Sequence, residues 1–441
     1  MAVFDRQALN PGVAPREVFA WAMYDFANSG YTTVVLTAVF NAYFVAAVAG
    51  NAPWATLAWT LALAFSSALV MLTAPAIGAY ADAHGAKKRL LALSTIGCVL
   101  GTAALSFAQP GTVALAVIAV IASNYFFSVG EGLAAAFLPE LSRQDSLGKV
   151  SGWGWSFGYF GGMLTLGLCL WLVLSSQAAG KPAQVFVPQT MLVTAAVFAF
   201  AAMPTFLLLR ERAAKAGNAS AAHGRSAFER LRHTWRESAR FGDFRRLLAC
   251  GCCYQAGIAV VIALAAVYAE QVMGFKQTQT MMLVFLVNIA SALGAFLFGY
   301  AQDRVGHKRA LAFTLWGWVV MVALAALGTS VEVFWLAATV AGLCMGSSQS
   351  CGRAMVGVMT PPERLAEFYG LWTFAVRLAA IIGPVTYGAV TWVTGGNHRL
   401  AIGITGVFFL LALMVLRGID VDRAARAALA PAASPVPTPA R

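Results

Sequence analysis

The sequence predicts an all-α membrane protein of twelve transmembrane helices in two six-helix bundles, with both termini cytoplasmic. Three observations carry this expectation: composition, the number of apolar runs, and the one-sided placement of Lys and Arg. Of 441 residues, 60% are hydrophobic and 11% charged, whereas soluble domains hold about 45–50% apolar and about 25% charged residues. A soluble globule of this size cannot hide that apolar excess. Disorder requires the opposite balance. The solid apolar runs also exclude an outer-membrane barrel, whose strands alternate polar and apolar residues.

The apolar runs fall near 19–48, 55–80, 89–109, 112–138, 150–176 and 188–209, then 247–270, 279–301, 309–328, 332–354, 366–393 and 399–417. Each reaches or approaches the roughly 20 residues needed to cross a bilayer. They divide the chain into a cytoplasmic N-terminal segment (1–18), a first bundle (19–209), a basic cytoplasmic linker (210–246), a second bundle (247–417) and a cytoplasmic tail (418–441). The linker holds ArgGluArg at 210–212, an Ala/Gly/Ser stretch and an Arg-rich segment with helical character. The tail is expected to be disordered from Ala424. No cleavable signal is evident.

With the N-terminus inside, twenty-six of the thirty Lys and Arg residues fall on the cytoplasmic side. Only Lys181, Lys276 and Arg399 lie opposite, and Arg377 sits inside a helix. So uneven a split follows the positive-inside rule and accounts for the net charge of +12 without nucleic acid as a partner. The seven cysteines read as small helix-packing residues. Cys250, Cys252 and Cys253 cluster without the partners that zinc spacing requires.

An internal repeat organises the two halves. GlyAlaTyrAlaAspAlaHisGlyAlaLysLys begins at Gly78, and GlyTyrAlaGlnAspArgValGlyHisLysArg begins at Gly299. Gly78, Asp82, Gly85 and Lys87–Lys88 match Gly299, Asp303, Gly306 and Lys308–Arg309 at a constant offset. Equivalent loops in two six-helix halves are what a parallel duplication produces. The aspartates are suited to cap a helix N-terminus or pair with a cation, Gly85 and Gly306 to turn sharply, and the cations, Lys88 and Arg309 included, to hold the loop at the cytoplasmic face.

This spacing resembles the loop signature of the major facilitator superfamily, over essentially the whole chain. Further strings narrow the likeness. Helix one carries TrpAlaMetTyrAspPheAlaAsnSerGlyTyr from Trp21, helix four runs into PheLeuProGluLeu from Phe137, and helix five opens SerGlyTrpGlyTrpSerPheGlyTyrPheGlyGly from Ser151. Helix ten ends GlySerSerGlnSerCysGlyArgAla from Gly346, followed by GluArgLeuAlaGluPheTyrGly from Glu363 and IleGlyPro from Ile382. Together they are similar to the "unknown major facilitator" branch, which includes vacuolar amino-acid effluxers associated with autophagy. The resemblance implies a twelve-helix transporter, exporting amino acids in some members. It also implies a basic residue at the place of Arg377. Related sequences often follow the tyrosine matching Tyr254 with an Asn-acid pair, but this chain has Gln255 and Ala256. Tyr159 stands where the antiporter signature in helix five has proline, so antiport is not inferred.

Charges inside a membrane cost at least about 2.5–3.5 kcal/mol and need a partner, water or a task. Arg377, near mid-depth in helix eleven, cannot deprotonate. It either forks onto a substrate carboxylate or phosphate or forms an ion pair with Glu131 or Asp25. Glu131 in helix four is a candidate for proton coupling, with an interhelical salt bridge as the alternative. Asp25, Asn28, Ser29 and Thr32 share one face of helix one at i, i+3, i+4 and i+7, facing either a cavity or a helix seam. Asn124, Gln255, Asn288 and Gln349 are neutral groups at membrane depth that bind substrate or staple helices. Arg353 lies close enough to the cytoplasm to snorkel, and a gate with Glu363 or Glu367 is expected. Glu270 reads as the wet outer end of helix seven. Trp153, Trp155, Trp335, Trp372 and Trp392 read as interface markers, and Pro384 as a kink site.

The expected function is secondary active transport of a small anionic or zwitterionic metabolite, an amino acid favoured, by alternating access across the inner membrane. The loops at Asp82 and Asp303 would latch the outward-facing state, and protons are a candidate coupling ion. The alternative is a lipid or lysolipid translocase or a non-transporting receptor. An enzyme is not expected: all five histidines lie in loops or at helix ends and no HExxH string occurs. No cofactor or metal is expected. Partners are the solute and membrane lipids, around a monomer.

Overall fold

The computed structural model of the chain describes residues 4–212, 241–275 and 277–429. Among these, twelve helices are long and apolar enough to cross a membrane: α1 Pro15–Val48, α2 Leu57–His84, α3 Lys87–Phe107, α4 Val113–Leu141, α5 Gln144–Ala178 and α6 Ala183–Leu208. The second set is α7 Gly242–Ala263, α8 Met282–Val305, α9 His307–Leu327, α10 Val331–Val358, α11 Pro362–Val393 and α12 His398–Arg417. The expected spans match within a few residues, except that α5 begins six residues earlier and α6 and α7 five; the helix that holds α7 continues to Gln271, close to the expected end. Most of the linker expectation, with its Arg-rich helical stretch, lies outside the described residues.

The two sets pack alike. Within the first, α1 lies against α5 and α6, α3 against α4 and α6, and α2 against α4. Within the second, α7 lies against α11 and α12, α9 against α10 and α12, and α8 against α10. Each pair in one set has its counterpart six helices on. The contacts between sets follow the same exchange: α2 meets α11 as α8 meets α5, and α4 meets α11 as α10 meets α5.

Those crossings are made where side chains are absent. At Gly78 a Cβ would strike the Ala366 carbonyl, and at Gly152 it would strike the Ala295 carbonyl and lie 3.1 Å from Gly299 Cα. Bare backbone lets helices approach closely and gain dispersion contact, the main source of packing energy where lipid supplies no hydrophobic drive.

Three expectations need correction. The tail is not structureless from Ala424: a short helix, α13 (Val421–Leu429), buries Ala424 and Ala428, one turn apart, and Arg423 fixes it to Asp243 at 2.6 and 2.7 Å. Residues 430–441 lie outside the described residues. Helix one is not α-helical throughout. From Thr32 to Ala38, and again from Phe44 to Val48, it takes the wider π form, which begins where the 25, 28, 29, 32 stripe ends; the Thr32 N–H still bonds to Asn28 one α-turn back. Finally, Trp153 is 1% and Trp372 9% exposed, so these two pack inside the protein. Trp392, at 82% exposed, fits the interface role.

Gly152→Ala is expected to cost about 1–3 kcal/mol as an overpacking change, seen as a lower melting temperature in detergent. Gly167→Ala, where a Cβ meets nothing within 4 Å, is expected to be neutral or slightly stabilising.

Candidate functional site

The repeated loop motif works by exchange between halves. Asp82, at the end of α2, accepts hydrogen bonds from the backbone amides of Ala366 (3.1 Å) and Glu367 (2.9 Å), the first turn of α11. Asp303, at the end of α8, accepts from Gly148 (2.9 Å) and Lys149 (2.8 Å), the first turn of α5. Each half caps a helix of the other, satisfying orphan N–H groups and placing negative charge at a positive helix end. Gly85 takes φ 58° and Gly306 φ 90°, the left-handed turns their lack of Cβ allows. Lys88 Nζ donates to the Leu209 carbonyl at 2.6 Å and Lys308 Nζ to those of Arg417 and Ile419, tying each motif to the last helix of its own half. Arg309 has no described polar contact.

A second layer of charge at this end had no expectation attached. Lys87, 0% exposed, pairs with Glu140, which also accepts the Arg212 amide at 2.6 Å. Arg212 in turn forks onto Glu17 at 2.8 Å to each oxygen. Glu140 sits in the PheLeuProGluLeu string, so the signal was present, but its partner is 53 residues away and the contact unreadable from spacing.

Deeper in, two ion pairs join the halves. Arg377 on α11 donates to Glu131 on α4 at 2.8 Å, and its guanidinium lies 5.8 Å from the Phe127 ring. The Arg377 side chain is 13% exposed and that of Glu131 39%. Glu131 stands among protein groups from both halves: Gly130 faces the Tyr24 hydroxyl, and Gly132 faces Thr373 Oγ1. Arg377 Nε is buried without a hydrogen-bond partner, as is Asn28 Oδ1 on α1. Of the two partners considered for Arg377, the structure selects Glu131.

Asp25 pairs instead with Arg353 on α10, at 2.6 Å. The expected snorkelling of Arg353 is therefore overturned: it is 6% exposed, turned inward, and its partner is not Glu363 or Glu367. Glu367 is held by Arg364 at 2.7 Å. Glu363 lies at the basic end, lining a cavity of about 470 Å³ with Glu140, Arg212 and Leu429.

The remaining polar candidates divide. Gln255 and Gln349 bond to each other reciprocally at 2.7 and 3.3 Å, joining α7 to α10. Asn124 donates to Ser66 on α2 at 3.1 Å, while its own Oδ1 has no partner. Asn288 donates to its own helix at Val284, and Thr32 to the Asn28 carbonyl at 3.0 Å. Ser29 and Thr33 face Gly158 and Gly162, so that side of helix one is a seam against α5. The side chain of Glu270 lies outside the described residues. Among the described residues the seven cysteines are unpaired, and no group of His, Cys, Asp and Glu is placed to hold a metal.

Comparison with known proteins agrees with this architecture. A family model described as "Vacuole effluxer Atg22 like" matches residues 55–429. The chain is 23% identical to "Uncharacterized MFS-type transporter YxiO" of Bacillus subtilis over 90% of this chain and 92% of that protein. It is 26% identical to Autophagy-related protein 22-1 of Aspergillus fumigatus over 66% of this chain and 51% of the fungal protein, so the match spans about half of that relative. Among solved structures, it resembles the human organic anion transporter MFSD10 (TM-score 0.68, 17% identity, 91% of this chain and 100% of that one). It also resembles the transporter FucP in an outward conformation (TM-score 0.69, 15% identity, 92% and 98%). At such identities these two likenesses concern the fold alone.

Removing one partner of a buried ion pair strands the other charge, at about 3–5 kcal/mol. Lys87→Met is therefore expected to lower the melting temperature sharply, and Lys87→Met with Glu140→Gln to recover most of the loss in the same assay.

Proposed function

The chain belongs to the Atg22-like vacuole effluxer family of major facilitator transporters, and from that premise we propose that it is a secondary active transporter of a small anionic or zwitterionic metabolite, an amino acid in first place. It would sit in the cytoplasmic membrane with the basic end inside, as the Lys and Arg distribution favours. The end fastened by Asp82 and Asp303 is then the cytoplasmic one, and the structure represents the state closed toward the cytoplasm.

The observation that carries this reading is the Glu131–Arg377 pair. It joins the two halves, keeps over a third of the carboxylate side chain accessible, and leaves Arg377 Nε without a partner. A guanidinium with one nitrogen committed and another unsatisfied is an incomplete fork, suited to a second carboxylate. Asn28 Oδ1 supplies an unfilled acceptor of the kind an ammonium group requires.

The charge arithmetic sets the coupling. Glu131 and Arg377 sum to zero. A substrate carboxylate that takes Arg377 displaces the Glu131 carboxylate, which in a site of low polarity needs a compensating cation. A zwitterion brings that cation as its ammonium group; a simple anion requires a proton on Glu131. With an anion, solute and proton then cross together as the halves rock, which is coupling without a phosphate-binding loop; a zwitterion carries its own compensating charge and crosses down its own gradient.

The test is flux in proteoliposomes with a labelled amino-acid mixture. Arg377→Gln is expected to lower kcat/KM by about 10–100-fold, the loss of a charge-assisted hydrogen bond, with normal insertion. Arg377→Lys should also be impaired, because a point charge does not replace the fork. Wild-type kinetics in Arg377→Gln would overturn the clamp. If the solute is an anion, its flux should rise as pH falls through the titration of Glu131, and Glu131→Gln should flatten that profile.

A further inference from the structure

Arg353, like Arg377, reaches across to the other half, but with more partners: three hydrogen bonds and two tryptophan rings against one hydrogen bond and one ring. It belongs to α10, in the second half, yet every side-chain contact given for its guanidinium is with the first half. Its NH1 donates to Asp25 Oδ2 at 2.6 Å, its Nε to Ser151 Oγ at 3.1 Å and its NH2 to the Ser151 carbonyl at 2.8 Å. The guanidinium lies 4.7 Å from the Trp21 ring and 5.2 Å from the Trp155 ring. Two tryptophans of the opposite half thus form its slot. Trp21 is itself pinned, its indole N–H donating to the Ala134 carbonyl at 2.8 Å. On its own half, Arg353 is fixed only through its backbone, whose carbonyl accepts from Tyr369 at 2.8 Å.

The slot is more enclosed than the Glu131–Arg377 pair: the side chains of Arg353 and Asp25 are 7% and 12% exposed, against 39% for Glu131. It is also shut by Gly154, where a Cβ would lie 2.6 Å from Arg353 NH2 and 2.8 Å from Trp21 Cη2, against Asp25 as well. At 1.5 Å of rise per residue, Arg353 lies about 8 Å from the basic end of α10, whereas Arg377 lies about 18 Å from Leu365, where the α-helical part of α11 begins. The slot therefore occupies the layer between the accessible pair and the loop caps.

We propose that Arg353 is the latch of the closed basic end, and that opening of this end requires withdrawal of its guanidinium from the slot made by Trp21, Asp25, Ser151 and Trp155. A buried cation with each of its three nitrogens bonded and its guanidinium seated in the opposite half holds the halves together in this state. The open state has to replace its three hydrogen bonds and two ring faces with water. Arg353 is thus a positioning residue, acting on the equilibrium between states and not on the solute.

The proposal is tested on the full chain in nanodiscs by electron-spin distance measurement between labels at Gln144→Cys and Glu363→Cys, which lie in opposite halves at the basic end and are both exposed. Cys252→Ser and Cys253→Ser remove the partly exposed thiols. Asp25→Asn, Arg353→Lys and Gly154→Ala should each shift the population toward the longer distance, by roughly a hundredfold or more for Asp25→Asn, which strands a buried charge. Gly154→Ala keeps both charges and obstructs only the slot, so it separates latching from general loss of stability. Unchanged distances in folded Asp25→Asn and Gly154→Ala proteins would overturn the proposal. The readout involves no solute, so it stands or falls apart from the Glu131–Arg377 clamp.

Discussion

An ionised side chain within a bilayer has to find its opposite, and in this chain the opposites are divided between halves. Asp25 and Glu131 belong to the first six helices, Arg353 and Arg377 to the second six. Neither half can neutralise itself at this depth, so both pairs must cross. Hydrophobic matching to lipid makes each helix cross the membrane, but it is indifferent to which helix lies beside which. Cross-half charge complementarity, with the glycine crossings of α2 on α11 and α5 on α8, supplies the preference that packing in lipid lacks.

The two pairs divide the work through their surroundings. One has a partly exposed carboxylate and a guanidinium nitrogen without a partner, so another charge can enter it at modest cost. The other is enclosed by tryptophans, with a hydrogen bond from each guanidinium nitrogen, so removing it is expensive. The same chemistry, a carboxylate against a guanidinium, becomes an exchange site in one setting and a fastening in the other. Hydration and the count of satisfied donors decide which.

Much of the architecture was legible in the residues. Apolar runs located the spans because a bilayer demands length, and the Asp82 and Asp303 motif offered capping or a cation pair, between which the contacts with α11 and α5 decide. The pairing of Arg353 with Asp25 was not legible: the two are 328 residues apart, and Glu363 and Glu367 stand much closer in sequence. The π form beyond Thr32 was not legible either, because no local residue announces that the helix leaves its 3.6-residue period there. Trp153 and Trp372 were read as interfacial because position near a helix end does not tell which way a ring points. The α13 helix depends on Asp243, which composition alone cannot bring to it.

The exchange of aspartates between Asp82 and α11, and between Asp303 and α5, has one more consequence. Severed in the linker, each half would display a free carboxylate hook and an uncapped helix start, matched to those of the other. That is the contact logic of an isologous dimer, in which each subunit lends its twin the group the twin is missing. The two halves thus recognise each other through groups that lie outside the segment joining them.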